Sequence, residues 1–221
     1  MIKVLIADDS ALMRKMLKRI LEADPDIEVL PVARDGNDVV EKAREYQPDV
    51  ITMDVNMPGQ DGITALQYIV DEKICPVVMV SSLTQEGAVT TFEALELGAF
   101  DFVGKPGGTV SSNMDSVTGE LLSKVKLAAS LKQKGRISDR LSRSRKMPKT
   151  KLKSSPGSGK TTKAVAMGIS TGGPKVIYEV LPLLPPDINA ALFLVQHMPP
   201  NFTSTYVKRL NDACQLEVAE A

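Results

Sequence analysis

The sequence predicts an α/β protein: a doubly wound parallel sheet followed by a second, partial α/β parallel-sheet region. Three observations carry this. Short apolar runs alternate five times with amphipathic stretches between Ile2 and Leu131, the pattern of β-α units whose strands lie parallel with helices on both faces. From about Leu131 to Lys163 the apolar periodicity stops, and Ser, Lys, Arg, Pro and Gly dominate. The same strand–helix rhythm then resumes at Ala164.

Ile2–Ala7 reads as the first strand, and Ala11–Glu22 as a helix with Leu12, Met16, Leu17, Ile20 and Leu21 at helical spacing. Ile27–Val32 is the second strand and Gly36–Tyr46 the second helix. Val50–Met53 is the third strand, stopped by Asp54 and the loop Asn56-Met57-Pro58-Gly59. Gly62–Val70 is helical, Pro76–Val80 a strand, Glu86–Leu97 a helix and Phe100–Val103 the fifth strand. Ser116–Leu131 closes the set, with Val117, Leu121, Leu122, Val125 and Ala128 on one face. After the basic segment, Ala164–Gly168 and Ala191–Val195 read as strands, and Pro174–Leu181 and Phe202–Leu210 as helices. Gln215–Ala221 is expected to begin a further strand.

Charge divides the 221 residues in the same way. Residues 1–123 hold 10 Lys/Arg against 21 Asp/Glu, 124–163 hold 14 against Asp139 alone, and 164–221 hold 3 against 5. The net charge of zero therefore hides an acidic domain (1–123), a basic flexible linker (124–163) and a nearly neutral second region (164–221). No stretch approaches the ~20 apolar residues of a membrane span. The N-terminal apolar run is too short for a signal peptide and ends in two acids, so a cytoplasmic protein without membrane insertion is expected. Cys75 and Cys214 have neither metal-ligand nor disulfide-framework spacing. The basic run holds almost no aromatics for base stacking, and no helix-turn-helix pattern follows it; nucleic-acid binding is not expected. Gly157-Ser158-Gly159-Lys160-Thr161-Thr162 imitates a phosphate-binding loop, but Ser154 stands where that pattern needs glycine and no strand precedes it.

Chemistry concentrates at strand ends. Asp8 and Asp9 end the first strand, Asp54 the third, Ser81 the fourth, and Lys105-Pro106 the fifth. In a parallel sheet these ends share one edge. Three converging carboxylates repel one another, a hard divalent cation such as Mg²⁺ relieves the repulsion, and Lys105 adds a charge suited to a phosphoryl oxygen. Any one of these residues alone reads as a cap or a turn; together they fit phosphoryl transfer to a carboxylate.

With Met53-Asp54-Val55-Asn56-Met57-Pro58-Gly59-Gln60-Asp61-Gly62 between them, these residues make 1–123 resemble a two-component receiver domain. The resemblance implies a flavodoxin-like (βα)5 fold with Asp54 phosphorylated by a chemotaxis histidine kinase. It implies Mg²⁺ held by Asp9, Asp54 and the Asn56 carbonyl, with Asp8 assisting through water. Ser81 and Lys105 would contact the phosphoryl group, and Phe102 stands at the family's aromatic switch position.

The second region holds Gly168-Ile169-Ser170-Thr171-Gly172-Gly173 and, 27 residues beyond Ser170, the chain's one histidine, His197. A serine hydroxyl is a weak nucleophile until an imidazole can take its proton. A glycine-flanked strand–turn–helix bend displays such a serine at the sheet edge, with free N–H groups at the helix start for an oxyanion. The same turn equally suits a phosphate. Gly168 to Pro174 and Gln196-His197-Met198-Pro199-Pro200-Asn201-Phe202-Thr203 resemble the chemotaxis protein-glutamate methylesterase family, CheB. That resemblance implies Ser170 as nucleophile and His197 as general base. It implies hydrolysis of glutamate methyl esters on chemoreceptors, deamidation of receptor glutamines, and no cofactor for the ester chemistry. The family's histidine-orienting aspartate matches none of Glu179, Asp187, Asp212, Glu217 or Glu220 and is expected beyond Ala221, in an incomplete esterase domain. The expectation is a methylesterase activated by phosphorylation of its receiver; the alternative, for this chain without that aspartate, is a phosphorylatable switch or binding module lacking hydrolase activity.

Overall fold

The computed structural model describes residues 1–82, 84–105, 114–141 and 163–221, without the side chains of Gln85, 114–116 and 133–141. Pro106, the segment 142–162 and the loop-like Gly157–Thr162 lie outside the described residues. Two compact units are present, 1–132 and 133–221.

The first unit carries β1 (Ile2–Ala7), α1 (Ala11–Glu22), β2 (Ile27–Val29), α2 (Gly36–Tyr46), β3 (Val50–Asp54), α3 (Gly62–Asp71), β4 (Val77–Ser81), α4 (Gln85–Glu96), β5 (Asp101–Gly104) and, as far as Lys132, the helix α5 (Met114–Leu141). The five strands form one parallel sheet in the order β2-β1-β3-β4-β5. Strands of such a sheet are covered on both faces and so read as continuous apolar runs; all five residues of β3 and of β4 are buried. Val4, Ile6, Val50, Val78, Val80 and Val103 pack on one face with Leu17 and Leu21 of α1 and Leu121, Val125 and Ala128 of α5. The alternate residues Leu5, Ile51, Met53 and Met79 are also fully buried, as the two-residue period of a strand requires.

Local chemistry fixes the helix starts. Ser10, Asp35, Asp61 and Thr84 each accept a hydrogen bond from a first-turn N–H of α1, α2, α3 and α4, satisfying donors that the helix itself leaves unpaired.

Three expectations change. β2 stops at Val29 rather than Val32; Pro31 brings no N–H, and pairing beyond it reduces to the bridge Ala7–Ala33. α5 runs through the boundary placed at 123/124: Lys124, Val125, Ala128 and Ala129 are buried, so residues 124–132 belong to the first unit rather than to a linker. The basic residues that suggested a linker are also good helix formers, and the apolar ones among them keep helical spacing.

The second unit carries β6 (Ala164–Ile169), α6 (Gly173–Val180), a 3₁₀ turn (Leu181–Leu183), β7 (Ala191–Gln196) and α7 (Pro200–Ala213). β6 and β7 pair in parallel from Ala164–Ala191 to Ile169–Gln196. Tyr206 of α7 is buried against the ring of Tyr178 and donates its hydroxyl to the Pro174 carbonyl at 3.1 Å, tying the helices together. The expected strand at Gln215–Ala221 is absent: the Val218 N–H bonds Asn211 Oδ1 of α7 at 2.9 Å instead of a strand neighbour.

Candidate functional site

At the carboxyl edge of the first sheet, register places the candidates side by side. Ala7 pairs with Met53, Asp54 with Val80 and Ser81 with Gly104, so Asp8, Asp54, Ser81 and Lys105 leave four adjacent strands together. One carboxylate oxygen from each of Asp8, Asp9 and Asp54 lies within 4.8 Å of the others. Asp8 and Asp54 are buried, and Asp9 is exposed. Lys105 Nζ donates to Asp54 Oδ2 at 2.7 Å and stands 3.5 Å from Asp8 Oδ2.

Asp8 Oδ1 accepts from the Ser10 N–H at 2.8 Å. Its other oxygen is buried without a hydrogen bond; Lys105 is an electrostatic contact at the limit of bonding distance. Burial lifts the Asp8 carboxyl above its ordinary value; the Ser10 N–H and the Lys105 ammonium offset this only in part. Burial alone would depress the Lys105 ammonium, but the hydrogen bond and charge of Asp54, then the charge of Asp8, outweigh it and hold the lysine charged. Three carboxylates against one ammonium leave two negative charges, and the bare Asp8 oxygen faces that deficit. Receiver domains generally bind Mg²⁺ at such an edge, and the acidic donor set fits a hard divalent cation.

The chain approaches Asp54 closely. A Cβ on Gly62, at the start of α3, would stand 2.0 Å from the Asp54 carbonyl oxygen, and one on Gly36 would stand 2.3 Å from that of Gln60. Asn56 is exposed in the loop between β3 and α3. Ser81 is buried, and its hydroxyl donates weakly to the carbonyls of Gly87 (3.3 Å) and Ser82 (3.4 Å). Phe102 is 3% exposed, and its ring stands edge-on to Phe92 at 6.2 Å.

Two neighbours escape sequence reasoning. Arg14 of α1 donates Nη1 to the carbonyls of both Asp8 and Asp9 at 2.8 Å, fixing the turn that aims the acids. Lys124 is buried on α5. It pairs with Asp101 Oδ1 (3.1 Å) and Glu120 Oε1 (2.7 Å), donates to the Phe102 carbonyl, and lies 5.1 Å from the centre of the Phe102 ring. The spacing of Glu120 and Lys124 and the acid inside β5 were the available signals.

In the second unit, the Ile169–Gln196 register sets Ser170 and His197 at adjacent strand ends, both exposed. The His197 N–H donates to the Ile169 carbonyl at 3.3 Å. Gly172 holds φ 71° at the cap of α6, and Pro174 sits in its first turn, a left-handed residue followed by a preset helix start. Gln196 donates Nε2 to the carbonyls of Ser170 (3.2 Å) and His197 (3.0 Å). Among the described residues, no helix is long and apolar enough to cross a membrane.

Residues 4–111 match the response regulator receiver domain, and residues 165–221 match the CheB methylesterase. A protein-glutamate methylesterase/protein-glutamine glutaminase of Syntrophomonas wolfei is 73% identical over all of this chain and 64% of its own length. One from Pyrococcus horikoshii is 44% identical over all of this chain and 59% of its own length. The chain thus spans about three fifths of the length of these curated relatives. The crystal structure of the response regulator domain of Thermotoga maritima CheB is 50% identical; it covers 58% of this chain, is itself 96% covered, and superposes with a TM-score of 0.53. With a receiver sheet that carries the acidic edge, and a second unit that carries the serine turn and the histidine, this chain belongs to the CheB family of chemotaxis response regulators.

Proposed function

We propose that the chain is a phosphorylation-controlled protein-glutamate methylesterase whose receiver takes a phosphoryl group on Asp54. The observation that carries this is the buried Asp54 carboxylate, bonded to Lys105 Nζ at 2.7 Å within a three-carboxylate edge. An Asp54 oxygen forms the new bond to phosphorus while the bond from phosphorus to its donor, a chemotaxis histidine kinase, breaks. Lys105 leaves Asp54 for the phosphoryl oxygens and offsets their charge. Asp8, Asp9, Asp54 and the Asn56 carbonyl would hold Mg²⁺, which supplies charge neutralisation at the transferring group. Ser81 turns its hydroxyl from the Gly87 carbonyl toward the phosphoryl group, and Phe102 follows as the switch residue.

In the second unit Ser170 Oγ attacks the carbonyl of a glutamate methyl ester on a chemoreceptor. His197 takes the hydroxyl proton and returns it to the departing methanol; a water that gives its proton to the same imidazole then attacks the acyl-serine, breaking its bond to Oγ, releasing the glutamate and restoring the Ser170 hydroxyl. N–H groups at the start of α6 stabilise the oxyanion. Deamidation of receptor glutamine runs through the same steps with ammonia leaving. The reaction belongs in the cytoplasm, where kinase and receptor tails meet.

The test is methanol release from methylated chemoreceptors, with and without acetyl phosphate and Mg²⁺. It is run on this chain and on one as long as its relatives. The phosphodonor raises the rate, and Ser170→Ala removes it. A rate that ignores the phosphodonor, or survives that substitution, removes the reading. Phosphorylation without hydrolysis by this chain alone leaves it a switch module.

A further inference from the structure

We infer that Gln196 is a positioning residue for the ester hydrolysis: its side-chain amide locks the backbones of Ser170 and His197 to each other. The inference rests on the reading of those two residues as the catalytic pair.

A primary amide has two N–H donors on one nitrogen. Gln196 sends one to the Ser170 carbonyl at 3.2 Å and one to the His197 carbonyl at 3.0 Å. The nitrogen thus bridges the turn after β6 to the turn after β7, in the gap where strand pairing has ended. The last ladder contact is Ile169–Gln196, followed by the His197 N–H on the Ile169 carbonyl at 3.3 Å. Beyond it, in this direction, the Gln196 side chain supplies the next cross-link.

The site is built around that amide. The Ser170 carbonyl also accepts from the Gly173 N–H at 2.9 Å, so Gln196 and the first turn of α6 clamp one carbonyl from two sides. The Gln196 Oε1 atom is buried with no hydrogen-bond partner. It presses on Gly173: a Cβ there would lie 2.5 Å from this oxygen. The same Cβ would stand 3.0 Å from the Ile169 Cβ, so any side chain at 173 would displace the glutamine amide from this gap. An acceptor oxygen at the positive end of α6 is electrostatically favoured. Met keeps the length of Gln and loses both donors; Glu keeps the shape and turns an acceptor toward two carbonyls.

Geometry of this kind acts on rate. A nucleophile and base held by exposed turns lose alignment when one tie is cut, and misplacement by about 1 Å costs up to about 100-fold.

The test uses the whole chain with a fluorophosphonate, whose phosphorus bonds Ser170 Oγ as fluoride leaves and the hydroxyl proton passes to His197. In Gln196→Met and in Gln196→Glu, the maximal labelling rate falls by about 10- to 100-fold with probe affinity unchanged. The amide N–H of Gly173 exchanges faster, while Phe202 and Tyr206 amides keep their protection. His197→Ala slows labelling of the parent chain by far more than of Gln196→Met, a coupling read by a double-mutant cycle. Parent-like labelling in both variants, or effects of His197→Ala and Gln196→Met that simply add, overturns the proposal alone. If Ser170→Ala or His197→Ala leaves labelling of the parent chain unchanged, the catalytic-pair reading fails and takes the proposal with it.

Discussion

Asp8 is a buried carboxyl at the candidate site whose ionisation the fold disfavours. Its carboxyl sits above the ordinary 3.8 because burial penalises the charge, and its partners restore only part of the loss. The folded protein therefore binds this proton more tightly than the unfolded chain does. Stability without metal rises as pH falls through the raised Asp8 value, and the ionised form costs stability above it. Mg²⁺ competes with the same proton, so its affinity drops over the same interval. Thermal melts against pH without metal, compared with Asp8→Asn, check the first statement: the substitution removes this component of the slope. Titration with Mg²⁺ checks the second, and Asp8→Asn is expected to weaken binding by at least about tenfold. The acids and Lys105 were legible in the sequence because a parallel sheet gathers residues that follow successive apolar runs. Lys124 left only the Glu120 spacing and the acid inside β5 as signals, and Arg14 and Gln196 left none, because each bonds backbone carbonyls. Every residue offers that acceptor, so no pair of residue types marks the contact.

Elements divide in the same way. α3 begins on an Asp61 cap that accepts the Thr64 N–H at 2.7 Å, immediately before a glycine pressed on Asp54. Asp61→Ala costs about 1 kcal/mol, the ordinary value of a cap. Gly62→Ala costs more, on the order of 2–3 kcal/mol, because backbone and not a flexible side chain occupies the space; urea unfolding of the two variants ranks them. α5 is pinned to β5 by Lys124, so Lys124→Met removes the ammonium 3.1 Å from the buried Asp101 carboxylate. That loss is expected to cost about 3–5 kcal/mol, and Lys124→Met with Asp101→Asn recovers much of it in the same assay. Strand and helix identities were legible from periodicity, and their ends mostly within a residue or two. α5 was cut short by its charge, since basic composition signals a linker and a solvated helix face alike. The last residues read as a strand from their apolar character, but pairing requires a neighbour, and Asn211 supplies the bond instead.

Across the whole chain, two α/β units carry two candidate sites. The first has a complete five-stranded sheet and a buried acidic edge. The second has two paired strands whose Phe193 and Val195 side chains remain 59% and 71% exposed. The charge contrast between 1–123 and 124–163 marked the division, but the buried Lys124, Val125, Ala128 and Ala129 of α5 move the edge of the first unit to Lys132. The family follows from the matches, which span both units, whereas the switch itself rests on Asp54. The most direct test is the mass of the intact chain after acetyl phosphate and Mg²⁺. One phosphoryl group per chain is expected, not gained when Mg²⁺ is chelated beforehand and absent in Asp54→Asn. Full labelling of Asp54→Asn, or none of the parent chain, would contradict it.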